Sequence, residues 1–247
     1  VQTCALPIYI ISPIQNGSDF GSGGTNCLIS GDMAAIADKS FSYGGQTACG
    51  AVYLFPLYST PEGYTEEDRP GGGRGIPSGY EHPHKAYGGL PREHIVLKSP
   101  EGPINQEQFG LSMAAGHGLL AVGCSPNAQS TVVSGQRGRV YFFDLKTGDH
   151  KFTIRHSGND DYSGFGSNAF NIAIGSNMIA IGHQRGGFYY GLVYIYDLQG
   201  NYIAKLAQPQ TGSQMWRDFG FHLSMTPEYL DRKSTRLNSS HANISYA

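Results

Sequence analysis

Charge is scarce in this chain, with 17 Lys and Arg and 19 Asp and Glu spread over 247 residues. Helical surfaces are normally covered by the charged helix formers that are thin here, so the composition argues against a helical protein. The mildly acidic balance gives no support for a nucleic-acid surface, which would normally show clustered Lys and Arg. Catalytic signatures are also missing: there is no Ser/His/Asp order, no paired-carboxylate motif, no GxSxG and no phosphate loop. The run GGGRG at Gly71 has neither a strand before it nor a helix after it. What the chain does have is 35 Gly, 16 Tyr and 12 Phe, the composition of short strands joined by tight turns.

The two ends depart from this pattern. Residues 231–247, DRKSTRLNSSHANISYA, back-translate to codons that match a short-read sequencing adapter and its index. Residues 1–8, VQTCALPI, match the adapter of the opposite read. Both are expected to be translated library sequence, which leaves residues 9–230 as the native part and implies a gene that continues in both directions. Without the tail, Lys and Arg fall from 17 to 14 and Asp and Glu from 19 to 18, so the net charge is −4 rather than −2. The native cysteines are then Cys27, Cys49 and Cys124. Three thiols make no disulfide framework, although Cys27 and Cys49 fall in one repeat and could pair; buried free thiols are the alternative.

Laid on itself, the chain repeats. Phe-Gly occurs at Phe20, Phe109, Phe165 and Phe219. A small, apolar run follows the first three (MAAIA from Met33, LLAVG from Leu119, MIAIG from Met178). Next come GAVYLFPL from Gly50, GRVYFFDL from Gly138 and GLVYIYDL from Gly191, and each unit closes on HIVLKSP, HKFTI or NYIAKLAQP. The opening YIISP at Tyr9 matches the closing run, so the native part begins in the last strand of a preceding unit. Four short apolar runs per unit, separated by Gly, Asn, Asp or Pro, have the length and alternation of strands. In RVYFFDL, Val140, Phe142 and Asp144 share one face and Tyr141, Phe143 and Leu145 the other. Both faces are largely apolar, as in a sheet sandwiched between sheets. The expected fold is all-β: a partial β-propeller of three four-stranded antiparallel blades plus fragments of two flanking blades. Three blades do not close a ring, so the first and last sheets are expected to leave faces that further blades cover.

The stretch QFGLSMAAGHGLLAVGCSP followed by GRVYFFDLKTG resembles an FG-GAP repeat, the unit of the integrin α-chain propeller and of many bacterial surface proteins. The FG, the LAVG and the G-x-VY-x-F-x-L-x-TG stand in the expected order, in three near-complete copies between Tyr9 and Met225. Many such repeats carry a calcium-binding DxDxDG loop between strands one and two. Here those connections are SGD, GHG and GSN, too short to wrap an ion that takes 6 to 8 oxygens. The nearest approach is NDDYSG, where Asn159, Asp161 and Ser163 alternate ahead of Gly164; an Asx-type turn is the competing reading. No other cofactor is expected. The Phe of each Phe-Gly should be a core wedge between blades, and the Gly should provide a positive φ and room for a close approach.

The first unit is longer because residues 58–93, between strands three and four, form an insertion rich in Pro, Gly and charge. It is expected to be an irregular excursion rather than a packed domain. Glu81, His82, His84, Glu93 and His94 are possible metal ligands by type, but EHPH fits no closed zinc pattern; solvated loop residues, with Tyr64, Tyr80 and Tyr87 as partner contacts, are the plainer reading. The loops from strand two to strand three differ most between units. With the interblade loops SPEGPINQEQ and QPQTGSQMWRD they should share one face. The resemblance to propellers implies that this face carries ligand contacts, and on it Arg185, Phe188, Tyr189, Tyr190, Trp216 and Arg217 are the candidate binding residues, because aromatics and Arg anchor interfaces.

The resulting expectation is a non-catalytic propeller segment that presents loops to a protein or glycan ligand, outside the cell, at a cell surface or on a virion. No nucleic acid and no membrane span enter this reading. The alternative is the propeller portion of a secreted hydrolase whose catalytic residues lie elsewhere, since the fold serves both roles.

Overall fold

The inner apolar runs become buried strands because their side chains have neighbouring sheets to meet, whereas the outer run Tyr202–Ala207 is mostly exposed. The computed structural model describes residues 27–57, 94–125, 138–156, 164–167, 171–183, 191–207, 219–225 and 230–233. The first sheet contains β1 (Cys27–Ser30), β2 (Met33–Asp38), β3 (Ala51–Pro56) and β4 (Ile95–Leu97). The second contains β5 (Ser112–Gly116), β6 (Leu119–Gly123), β7 (Arg139–Asp144) and β8 (His150–Arg155). The third contains β9 (Ile172–Ile174), β10 (Met178–His183), β11 (Leu192–Asp197) and β12 (Tyr202–Ala207). Each is an antiparallel meander in chain order. A further pair, β13 (His222–Met225) and β14 (Leu230–Lys233), starts the next unit; residues 231–233 of β14 carry the adapter reading.

The sheets are stacked side by side with their first strands together: β1 lies against β5, β5 against β9, and β9 against β13. Four-stranded meanders converging on their first strands are propeller blades, and the chain is a partial β-propeller.

Registry shows the repeat at single-residue resolution. Asp38 pairs with Ala51, Gly123 with Val140 and His183 with Leu192, so Asp38, Cys124 and His183 occupy one position in successive blades. Both β7 and β11 carry an irregularity at the equivalent place, after Phe142 and Ile195. The 1–2 connections are tight turns, and His117 and Gly118 both take positive φ, as a two-residue type I′ hairpin requires.

Apolar seams fill the gaps between blades. Tyr141 and Phe143 of β7 enter the first seam with Val52, Leu54 and Phe109. Val140 and Phe142 enter the second with Phe165, Ile179 and Ile181. The third gathers Val193, Ile195 and Phe219. The Phe of each described Phe-Gly is therefore a wedge, with Phe109 and Phe165 wholly buried and Phe219 5% exposed.

The following glycines, Gly110, Gly166 and Gly220, have φ of 97°, 62° and 82°. A Cβ on any of them would strike Val52, Val140 or Val193 of the preceding blade. Only Gly meets both conditions without strain. Just before each third strand, Gly50, Gly138 and Gly191 touch the Phe of the next blade. Two glycines and one Phe thus fix each seam.

Cys27, Cys49 and Cys124 are free thiols, Cys27 exposed and the other two buried. The pairing of Cys27 with Cys49 is not formed.

Candidate functional site

Antiparallel order puts the 2–3 connections and the interblade connections at one end of the blades. The 1–2 and 3–4 connections lie at the other. Because β3 pairs directly with β4 (Leu54 with Ile95), the insertion at 58–93 joins adjacent strands and departs from this second end. The first end is the loop face.

Two loop-face segments are described in full, residues 39–50 and 98–109, and they are bonded to each other. Gln106 N donates to Thr47 O at 2.9 Å, Gln108 N to Ala48 O at 2.9 Å and Phe109 N to Cys49 O at 2.8 Å. Thr47 Oγ1 donates to Asn105 Oδ1 at 2.7 Å, and the Tyr43 hydroxyl donates to Gly102 O at 3.2 Å. Buried Asp38 starts the first loop by accepting from Ser40 N and Ser40 Oγ at 3.1 and 2.9 Å. Ala48, Gln106 and Gln108 hold φ of 47°, 56° and 50°, a conformation that costs energy in non-glycine residues and persists because the surroundings enforce it.

This double loop carries Phe41 and Tyr43, stacked with centroids 5.9 Å apart. The exposed Lys98 places Nζ 5.5 Å from the Phe41 ring and 4.9 Å from the Tyr43 ring, within cation–π range. Burial pushes the Tyr43 hydroxyl up to about 12, helped by the Glu107 charge, so it remains a neutral donor at neutral pH.

Beneath the double loop is a buried ionic cluster in the first seam. Arg139 enters from the start of β7 and is 1% exposed; Glu107, from the interblade loop, is wholly buried. Arg139 Nε donates to Glu107 Oε1 at 3.1 Å, and Nη1 donates to Glu101 Oε2 at 3.3 Å. Nη2 lies 3.0 Å from Glu107 Oε1 but makes no hydrogen bond, so that contact is one of charge only. Arg155 at the end of β8 holds Glu101 through Nη2. The Tyr141 hydroxyl sits between the carboxylates, 2.9 Å from Glu101 Oε1 and 3.0 Å from Glu107 Oε1. Ser99 Oγ donates to Glu107 at 3.2 Å.

The two acids are pulled in opposite directions. Burial raises Glu107 above the usual carboxylate range, and the Arg139 charge only partly offsets it. Burial also acts on Glu101, but the Arg155 hydrogen bond and the Arg139 charge overcome it and hold that carboxyl low. Burial, reinforced by the Glu107 charge, drives the Cys124 thiol well up, which makes it an inert core residue rather than a nucleophile. The cluster pairs cations with anions, and its effect is to pin the interblade loop to blade two.

The second seam uses the same positions differently. His156 stands where Ser99 stands, His183 where Cys124 stands and Tyr194 where Tyr141 stands. Ring centroids are 4.4 Å apart for His156 and His183 and 5.4 Å for His156 and Tyr194.

The sequence-chosen binding residues Arg185, Phe188, Tyr189, Tyr190, Trp216 and Arg217 lie outside the described residues, as do the metal candidates Asn159, Asp161 and Ser163. So do Glu81, His82, His84 and Glu93 of the insertion. His94 is described, and its ring packs against Tyr53 and Phe55 at 5.6 and 5.4 Å. Among the described residues no three His, Cys, Asp or Glu gather to hold a metal, and no helix is long and apolar enough to cross a membrane. Sequence reasoning missed the ionic cluster, although one signal was present: Arg139 breaks an apolar strand where the other units have Ala51 and Leu192.

No protein-family profile matches the chain, and no curated protein matches it. Among solved structures it is similar to a europium-containing methanol dehydrogenase (12% identity, TM-score 0.40, 78% of this chain and 26% of that one). It is also similar to the Dos1 propeller (14%, 0.42, 84% and 41%) and to BamB from Moraxella catarrhalis (16%, 0.35, 84% and 68%). The chain therefore spans about a quarter and about two fifths of the first two. The fold assignment rests on the sheet order and seams described above.

Proposed function

We propose that the chain is an FG-GAP-type propeller segment, non-catalytic, that recognises a protein or glycan through its loop face, outside the cell or on a virion. The observation that carries this reading is the double loop of residues 39–50 and 98–109, cross-bonded and seated on a buried ionic cluster. Such a platform is organised before any ligand arrives, which lowers the ordering cost of binding. It presents two aromatic rings, a residue type that anchors interfaces, with an ammonium group beside them. Calcium has no part in this reading of the described blades.

The test is binding of the full chain to a printed glycan array and to a panel of purified extracellular proteins, alongside Phe41→Ala/Tyr43→Ala. Saturable binding that drops at least tenfold in the double variant, with melting unchanged, supports the reading. Binding indifferent to every loop-face substitution, or turnover of any probe, contradicts it and favours the hydrolase alternative.

A further inference from the structure

The double loop spends its hydroxyls on itself. Tyr43 donates to Gly102 O, Thr47 to Asn105 and Ser40 to Asp38, while Ser42 Oγ donates to Ser40 O and accepts from Ala48 N. The rings and one cation stay available. Phe41 and Tyr43 are half-buried and stacked, and the exposed Lys98 rests its ammonium against both rings.

The charge of Lys98 is not cancelled nearby. Glu101 is held by Arg155 and Arg139, and Glu107 is buried against Arg139. Asp38 is buried and accepts from Ser40. Among the described residues no carboxylate forms an ion pair with Lys98, or with Lys39 at the start of the same loop. A ring quadrupole attracts an ammonium without neutralising it. The contact also limits the freedom of the Lys98 stem, so less is lost when an anion arrives.

We propose, building on the loop-face reading, that the partner is a protein and that it offers an acidic segment. An Asp or Glu carboxylate of that segment pairs with Lys98, and a neighbouring apolar side chain packs on Phe41 and Tyr43. An acidic glycan would bring the same charge with many hydroxyls, each of which needs a hydrogen-bond partner once water is excluded. Tyr43, Thr47, Ser40 and Ser42 are already engaged. A carboxylate beside an apolar side chain asks chiefly for a cation and a ring. Charge complementarity of this kind steers encounter and rejects basic partners.

Selection from a random library of displayed short peptides tests this on the full wild-type chain, Lys98→Gln, Lys98→Arg and Phe41→Ala/Tyr43→Ala. Peptides enriched on wild type and on Lys98→Arg should carry at least about twice the input frequency of Asp and Glu, and Lys98→Gln should abolish that bias. A selected peptide, resynthesised, should bind Lys98→Gln at least about threefold more weakly. Its wild-type binding should weaken from about 0.05 M to about 0.3 M salt. Enrichment without an acid bias, an acid bias that survives Lys98→Gln, or no enrichment overturns the proposal. If unbiased enrichment still requires Phe41 and Tyr43, the loop-face reading stands without it; enrichment indifferent to every variant overturns both. Polygalacturonate serves as the acidic glycan, and tighter binding of it through Lys98 than of any selected peptide overturns the choice of a protein. Should the ring variant melt early, Lys98→Gln and Lys98→Arg decide.

Discussion

Arg139 Nε lies 3.1 Å from Glu107 Oε1 in a seam where both side chains are buried. The bond runs from a strand of blade two to the loop arriving from blade one, so it ties loop placement to blade packing. Breaking a buried pair by removing one member leaves a stranded charge.

Arg139→Leu, which installs the residue found at the equivalent Leu192, should therefore destabilise the fold by about 3 kcal/mol or more. Adding Glu107→Gln should recover a large part of the loss, because the stranded carboxylate is gone. Urea denaturation of the two single variants and the double variant measures the coupling.

The seam wedge makes a sharper test of the repeat. Phe165→Ala should cost about 3 to 5 kcal/mol. Gly166→Ala should also be severe, since a Cβ there meets Val140 and the φ is 62°. Gly118→Ala, at φ 73° with nothing within 4 Å, isolates the conformational penalty alone, about 1 kcal/mol. The difference between the two glycine variants reports the packing of the seam.

The acids of the cluster predict opposite pH slopes. Glu101 is held low by its Arg partners, so its contribution is present above the unfolded value and fades as pH falls through the folded one. Glu107 is raised by burial, so it lowers stability as pH rises from the unfolded value toward the folded one. Stability followed from about pH 3 to about pH 6 should accordingly lose acid sensitivity in Glu101→Gln and lose the opposing trend in Glu107→Gln.

Replacing residues 58–93 with the four residues KTGD, the turn used by blade two, should preserve a cooperative melt. Leu54 and Ile95 already pair across that connection, and closing a shorter loop costs less chain entropy. Loss of cooperativity would show that the insertion is structural.

The strands and seams were legible because each landmark has a local cause that recurs. Alternation in RVYFFDL assigned Tyr141 and Phe143 to one seam and Val140 and Phe142 to the other, and Gly110 and Gly166 announced their positive φ by following a Phe. The ionic cluster was not legible by the same route. Glu101 and Glu107 sit in a loop with no period, and their meeting with Arg139 and Arg155 depends on how one blade stacks on the next. Only Arg139, a charge inside an apolar strand, hinted at it. The His156 and His183 pair was hidden for the same reason: the two residues come from different blades, 27 positions apart.

Ligand-induced amide protection tests the central claim most directly. With any protein or glycan captured by the chain, protection should fall on residues 39–50 and 98–109 of the loop face and be lost in Phe41→Ala/Tyr43→Ala. Protection confined to the opposite end, around His117–Gly118 and Lys146–Gly148, would contradict recognition through the loop face.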